Sequence, residues 1–229
     1  MTDNKRLTLL KTVTDSMSSG TDIEGSDVDS VTIVTDTVSE MIGIAKRRKG
    51  KFSPSEAEDA TVYTLYHLFD MLLKGSANAT NILYMPPESW EAGTDFEMWK
   101  RMYDARLAFL GKSTYFAFLK YAEQEIRDGI KEARPKKVAQ GMTLVNQLEH
   151  LIYDPTVYAP MLNEPNVSVI RGLKRGVLSI DKAMKVFNTE ARLIQLQCNV
   201  PDWKQDREVI DALKVKLSLI LIRRLHPNL

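Results

Sequence analysis

One cysteine in 229 residues, Cys198, excludes an intramolecular disulfide and a zinc site built from several thiolates. The three histidines, His67, His150 and His226, show no metal-ligand spacing with any partner. No apolar run approaches the roughly 18 residues needed to span a bilayer. The first residues, Met-Thr-Asp-Asn-Lys-Arg, lack the apolar stretch of a signal peptide. A cytoplasmic protein with no membrane partner is the expectation. Excess charge of one sign is missing as well. A net charge of +1 argues against a surface given over wholly to nucleic acid, but leaves room for a local basic patch.

What is there is ordinary for a globular chain: 44% apolar and 27% charged residues, without repeats or low-complexity tracts. The length suits one elaborated domain or two small ones. Composition shifts along the chain. Residues 9–13 and 28–34 carry the β-branched bias of strands, and a third short strand is expected over 59–62. Between the first two, Asp15 to Gly20 reads as loop, with Gly20 suited to positive φ. A helix is expected over 38–46, and Ser53-Pro54 marks a break. From Tyr63 onward helical spacing dominates. Leu65, Leu68, Phe69, Leu72 and Leu73 define a helix that Gly75 can end. Further helices are expected over 96–112, 113–131, 136–153, 179–197 and 206–224. The fold class is therefore α+β, a small mixed β-sheet followed by a helical C-terminal region.

The feature that carries chemistry is Gly25-Ser26-Asp27-Val28-Asp29-Ser30, leading into an apolar strand. Residues two apart on a strand face the same way, so Asp27 and Asp29 would present two carboxylates side by side. Like charges that close repel unless a cation lies between them. Hard oxygen ligands favour Mg²⁺ or Mn²⁺. Two such ions, about 4 Å apart, clamp the attacking and leaving oxygens of a nucleotidyl transfer. Asp-x-Asp alone is a common pattern and fits a plain acidic loop equally well. Two neighbours strengthen it: the segment Ser16 to Gly20, able to offer hydroxyls and backbone N–H groups to a phosphate, and a third carboxylate, Asp59 or its neighbour Glu58.

Together Ser16, Gly20, Ser26, Asp27 and Asp29 resemble the motif of nucleotidyltransferases of the DNA polymerase β superfamily, the bacterial and phage group linked to RNA repair. The resemblance continues through Asp59 to Tyr84, Phe109-Leu110-Gly111-Lys112 with Phe118, Tyr121, Ala122 and Gln124, Arg175-Gly176, and Pro201-Asp202. It implies a nucleotidyltransferase core over 1–90 and a helical substrate-binding region over 91–229. It also implies transfer of a nucleoside monophosphate from a nucleoside triphosphate to an acceptor hydroxyl, with an RNA end or tRNA favoured as acceptor. Asp27, Asp29 and Asp59 would be the catalytic metal ligands. Ser16, Gly20, Ser26 and Lys112 would hold the nucleotide's phosphates. Several positions depart from the family pattern: Asp15, where a glycine is usual, His67, Ser76-Ala77, Asn81, Gly141 and Leu144. They motivate an alternative, a nucleotide- or nucleic-acid-binding protein on the same fold without turnover.

The densest basic run, Lys46, Arg47, Arg48 and Lys49, reads either as a nucleic-acid clamp or as a solvated loop. Arg134, Lys136 and Lys137 either extend it or simply open a helix after Pro135. Lys112 reads also as a helix-end lysine answering the macrodipole. Tyr115, Phe116, Phe118 and Tyr121 read as core rather than as a base-stacking platform. His67 reads as a packed or surface residue.

Overall fold

Valine, isoleucine and threonine build the sheet. In the computed structural model, which describes residues 6–26, 29–43, 45 and 60–225, three strands form: β1 (Thr8–Val13), β2 (Ser30–Val34) and β3 (Ala60–Thr64). Their order is β1-β2-β3, with β2 antiparallel to β1 and parallel to β3, so the sheet is small and mixed as expected. The register pairs Thr12 with Val31 and Val31 with Thr61. Leu10, Val31 and Ile33 are buried on that face.

The segment expected as loop after β1 is instead a short helix, α1 (Asp15–Ser19). Gly20 ends it at φ 69°, and its N–H donates to the Met17 carbonyl at 3.2 Å. Hydroxyl-rich sequence hid the helix because serine favours turns and caps over helix interiors. Next comes α2 (Val38–Met41), shorter than the 38–46 expected. Thr37 and Glu40 close it with reciprocal side-chain-to-backbone bonds.

Helices follow through Leu225: α3 (Leu65–Leu73), α4 (Ala77–Leu83), α5 (Phe96–Asp104), α6 (Lys112–Lys131) and α7 (Pro135–Tyr153). After them come α8 (Asn166–Lys174), α9 (Ile180–Phe187), α10 (Thr189–Cys198) and α11 (Arg207–Leu225). The sequence reading missed α4 and α8, which are short and flanked by prolines and asparagines. It also ran two pairs together. The 96–112 segment is α5 followed by a 3₁₀ turn over Arg106–Phe109, and 179–197 is split where Asn188 turns left-handed at φ 56°.

The long helices α6 and α7 form an antiparallel hairpin that carries one wall of the site. They approach closely at two glycines. A β-carbon on Gly129 would stand 2.6 Å from Val138 Cγ2, and one on Gly141 would stand 2.5 Å from Ile126 Cγ1. The apolar core runs from Leu9 and Leu10 of the sheet through Phe69, Trp99, Tyr115 and Phe118 to Leu221 of α11. Among the described residues no helix is long and apolar enough to cross a membrane.

Candidate functional site

Two clefts meet at the start of β2. The first, about 650 Å³, lies between the segment joining α1 to β2 and the α6–α7 hairpin. Ser16, Gly25, Ser26 and Asp29 line one side; Arg134, Lys136, Lys137 and Gln140 line the other, with Lys174 of α8. The second, about 240 Å³, lies over the sheet face, where Val31, Thr61 and Tyr63 meet α4 and α7. Asp29 and Gln140 belong to the walls of both, so the two adjoin at those residues as neighbouring lobes.

Local structure explains the placement. Thr14 N–H donates to the Asp29 carbonyl at 2.9 Å, closing the end of the β1–β2 ladder and setting Asp29 at the mouth of the sheet. Ser26 closes the preceding turn twice: its N–H donates to the Ile23 carbonyl and its Oγ accepts from the Ile23 N–H, both at 2.9 Å. Across the groove, Pro135 opens α7 at a position that needs no N–H donor. Lys136, Gln140, Thr143 and Gln147 then recur at helical spacing and form a polar stripe along the two lobes. From α8, Lys174 Nζ donates to the Thr21 carbonyl at 2.9 Å and to its hydroxyl at 3.0 Å, and Arg171 pairs with Asp22 at 3.2 Å. These contacts hold the segment after α1 in place.

The first lobe is cationic. Among the described residues, Arg134, Lys136, Lys137 and Lys174 face only Asp29 and Glu125 as acidic lining residues. Glu132, outside the lining, takes up part of that charge, with Lys137 at 3.0 Å and Arg134 at 3.1 Å. The Lys136 ammonium, exposed, has no hydrogen-bond or ion-pair partner among the described residues. The half-buried Asp29 carboxylate likewise has none among them. Tyr121 borders the same lobe, so the aromatic cluster divides: Tyr115 and Phe118 are core, Phe116 is exposed, and Tyr121 faces the groove.

Among the described residues, Asp29 at its border is the one charged residue that lines the second lobe. Asn81 and Gln147 form part of a directed chain. The Tyr158 hydroxyl donates to Asn81 Oδ1 at 2.6 Å, Asn81 Nδ2 to Gln147 Oε1 at 3.0 Å, and Gln147 Nε2 to the Pro160 carbonyl at 2.8 Å. Burial first, and the neighbouring Tyr84 hydroxyl second, push the Tyr158 phenol well above its ordinary value, so it remains a donor.

Of the residues singled out in the sequence, Ser16, Ser26 and Asp29 are brought together in the first lobe. Asp27, Asp59 and the run Lys46, Arg47, Arg48 and Lys49 lie outside the described residues, as does the side chain of Asp15. Gly20 lines neither lobe. Lys112 stands apart as well: at the N-terminus of α6 it approaches Asp202 at 3.4 Å, both exposed. There it opposes the macrodipole rather than answering it. Among the described residues no group of three His, Cys, Asp or Glu side chains is placed to hold a metal.

Two departures from the family pattern acquire a packing reason. Gly141 faces α6, where no side chain fits, and Leu144 belongs to the buried core; neither lines a lobe. Asn81 is part of the amide chain, and His67 lies 5.7 Å from the Tyr63 ring, centroid to centroid. The sequence reading left out Lys174, Glu125, Tyr121 and Gln140 as groove residues. Only the helical spacing of Gln140 from Lys136 and Lys137 was a local signal. Compared with family models, with curated proteins and with solved structures, the chain matches none.

Proposed function

We propose that the protein is a metal-dependent nucleotidyltransferase that moves a nucleoside monophosphate from a nucleoside triphosphate to an acceptor hydroxyl, an RNA end being the acceptor the resemblance favours. One observation carries the reading: Ser16, Ser26 and Asp29 face Arg134, Lys136, Lys137 and Lys174 across a cleft of about 650 Å³. A triphosphate carries several negative charges, and a groove of lysine and arginine answers them by charge-assisted hydrogen bonds. The serine hydroxyls are donors of the right kind for non-bridging phosphate oxygens.

A carboxylate in so cationic a groove suits a hard metal ion, because the Asp29 oxygens have no protein cation to pair with among the described residues. Asp29, with Asp27 and Asp59, would hold Mg²⁺ or Mn²⁺. When bound, such an ion supplies Lewis-acid stabilisation of phosphate oxygens. The strand register supports this set. Ser30, which Asp29 precedes in sequence, pairs with Ala60, which Asp59 precedes. In the reaction the acceptor hydroxyl gives up its proton to solvent as its oxygen bonds to the α-phosphorus, and the bond from that phosphorus to the bridging oxygen breaks, the oxygen departing on pyrophosphate. Lys136 and its neighbours orient the departing phosphates and balance their charge.

A second reading, nucleotide binding without turnover, is favoured by Gly20, whose N–H is used by the Met17 carbonyl rather than offered to the groove. One experiment separates the two. Purified protein is incubated with each α-labelled nucleoside triphosphate, Mg²⁺ or Mn²⁺ and total cellular RNA, beside an Asp27→Ala/Asp29→Ala variant of unchanged melting temperature. Label in RNA or protein that falls at least about 100-fold in the variant supports transfer. No label in any fraction, from a protein that still binds triphosphate, favours the binding reading.

A further inference from the structure

The groove is chemically divided. Among the described residues, four cationic side chains lie on one side of Asp29 and Gln140, and none on the other. A phosphate placed in the second lobe would lose its hydration with no positive charge from the described residues in return, which is costly in a partly enclosed site. An uncharged group with apolar faces and hydrogen-bonding edges meets what that lobe provides. Val31, Ile82 and Met85 supply apolar surface, and Asn78, Asn81 and Gln147 supply amides. A nucleobase has that chemistry.

The amides are also oriented. The Pro160 carbonyl can only accept, so Gln147 must turn its Nε2 toward it and its Oε1 toward Asn81. Asn81 must then donate through Nδ2, which leaves its Oδ1 to accept from the Tyr158 hydroxyl. Flipping Gln147 would break both of its bonds, and flipping Asn81 would break the one to Gln147. Each retains a second N–H, and both side chains line the lobe. A fixed polar wall discriminates among bases better than a mobile one, because a mismatched edge leaves a donor or acceptor unpaired.

We infer that the second lobe is the base pocket of the donor nucleotide, with Asn81 setting base preference and Tyr158 acting as its positioning residue. This rests on the nucleotidyltransferase reading, which puts the triphosphate in the first lobe.

The test compares tripolyphosphate with the four nucleoside triphosphates by calorimetric titration in Mg²⁺. The proteins are the wild type, Asn81→Leu, Tyr158→Phe and Lys136→Ala. In the wild type, at least one nucleoside triphosphate binds about tenfold or more tighter than tripolyphosphate. Asn81→Leu cuts that margin below about threefold, and Tyr158→Phe, which removes a single oxygen, shrinks it or reorders the four nucleotides; neither changes tripolyphosphate affinity. Lys136→Ala weakens all five ligands alike and keeps the margin.

A margin that survives in both Asn81→Leu and Tyr158→Phe would place the base elsewhere and overturn the inference, with the phosphate site intact. Equal losses for tripolyphosphate and nucleotides in those variants would also overturn it, since the residues would then act through the fold. Failure of the wild type to bind any of the five would sink the underlying reading, and this one with it.

Discussion

Gly141 on α7 meets Ile126 on α6 so closely that a β-carbon at position 141 would lie 2.5 Å from Ile126 Cγ1 and 2.8 Å from the Ala122 carbonyl oxygen. That contact sets how near the two helices run, and the polar stripe of α7 faces the β2 mouth from the opposite side of the same helix. Gly141→Ala should therefore lower stability by about 1–3 kcal/mol. The helix-propensity gain of about 1 kcal/mol is outweighed because the backbone oxygen cannot move aside. Urea unfolding checks this; an unchanged or higher midpoint would show that the hairpin can open without loss.

Charge in the first lobe predicts salt dependence. Tripolyphosphate affinity should fall several-fold between low salt and 0.5 M NaCl, because the cationic side chains are partly exposed and screened. Lys136→Ala should weaken it by about tenfold at low salt and by less at high salt. An equal loss at both salts would mean that Lys136 acts through the fold and not through its charge.

The far end of β2 holds a buried acidic pair with opposite behaviours. Burial pushes Asp36 upward, more than the Tyr66 N–H, the Thr64 hydroxyl and Arg6 draw it down. Burial acts the same way on Glu40, but there the Thr37 N–H and hydroxyl and the Arg6 guanidinium at 2.8 Å prevail, and its carboxyl is held below the ordinary value. The signs follow from linkage. Glu40 contributes stability above its unfolded-state value and loses it as pH falls through the lowered folded one. Ionised Asp36 costs stability as pH rises from the unfolded-state value to the raised folded one. Relative to wild type, Glu40→Gln should lose about 1–3 kcal/mol at pH 7, and less as pH falls below about 4. Relative to wild type, Asp36→Asn should gain as pH rises from 4 to 7. Denaturation at stepped pH reads both; differences that do not vary with pH would refute the assignment.

Arg192 joins three helices. Its Nε donates to Glu149 at 2.8 Å and its Nη2 also donates to Glu149, while its guanidinium carbon lies 3.8 Å from the centroid of the Phe187 ring. Arg192→Lys keeps the charge but loses the fork and the planar stacking, so thermal unfolding should report a loss of about 1–2 kcal/mol. A melting temperature equal to wild type would show that charge alone suffices.

Much of the fold was legible in local pattern. The β-branched run 31–34 favours a strand, and period-two spacing carries Val31 and Ile33 to the buried face. Gly20 was readable as a left-handed position, Gly75 as a helix stop, and Pro135 as a helix start, because each expresses a backbone restriction local to one residue. The Thr37–Glu40 capping box was equally local, written as Thr-x-x-Glu, and went unread.

By itself, then, the sequence determined the short sheet, an acidic entrance to its second strand and the mainly helical character of the rest, but it put Asp29 inside a strand that begins at Ser30 and began the helices at Tyr63, which belongs to β3. Only tertiary structure decided what faces Asp29. Lys174 reaches Thr21 across 153 residues of chain, and Tyr158 reaches Asn81 across 77. No periodicity encodes such pairings. They arise because buried donors and acceptors must find partners once α7 and α8 have packed, and packing is set by the whole core rather than by any one segment.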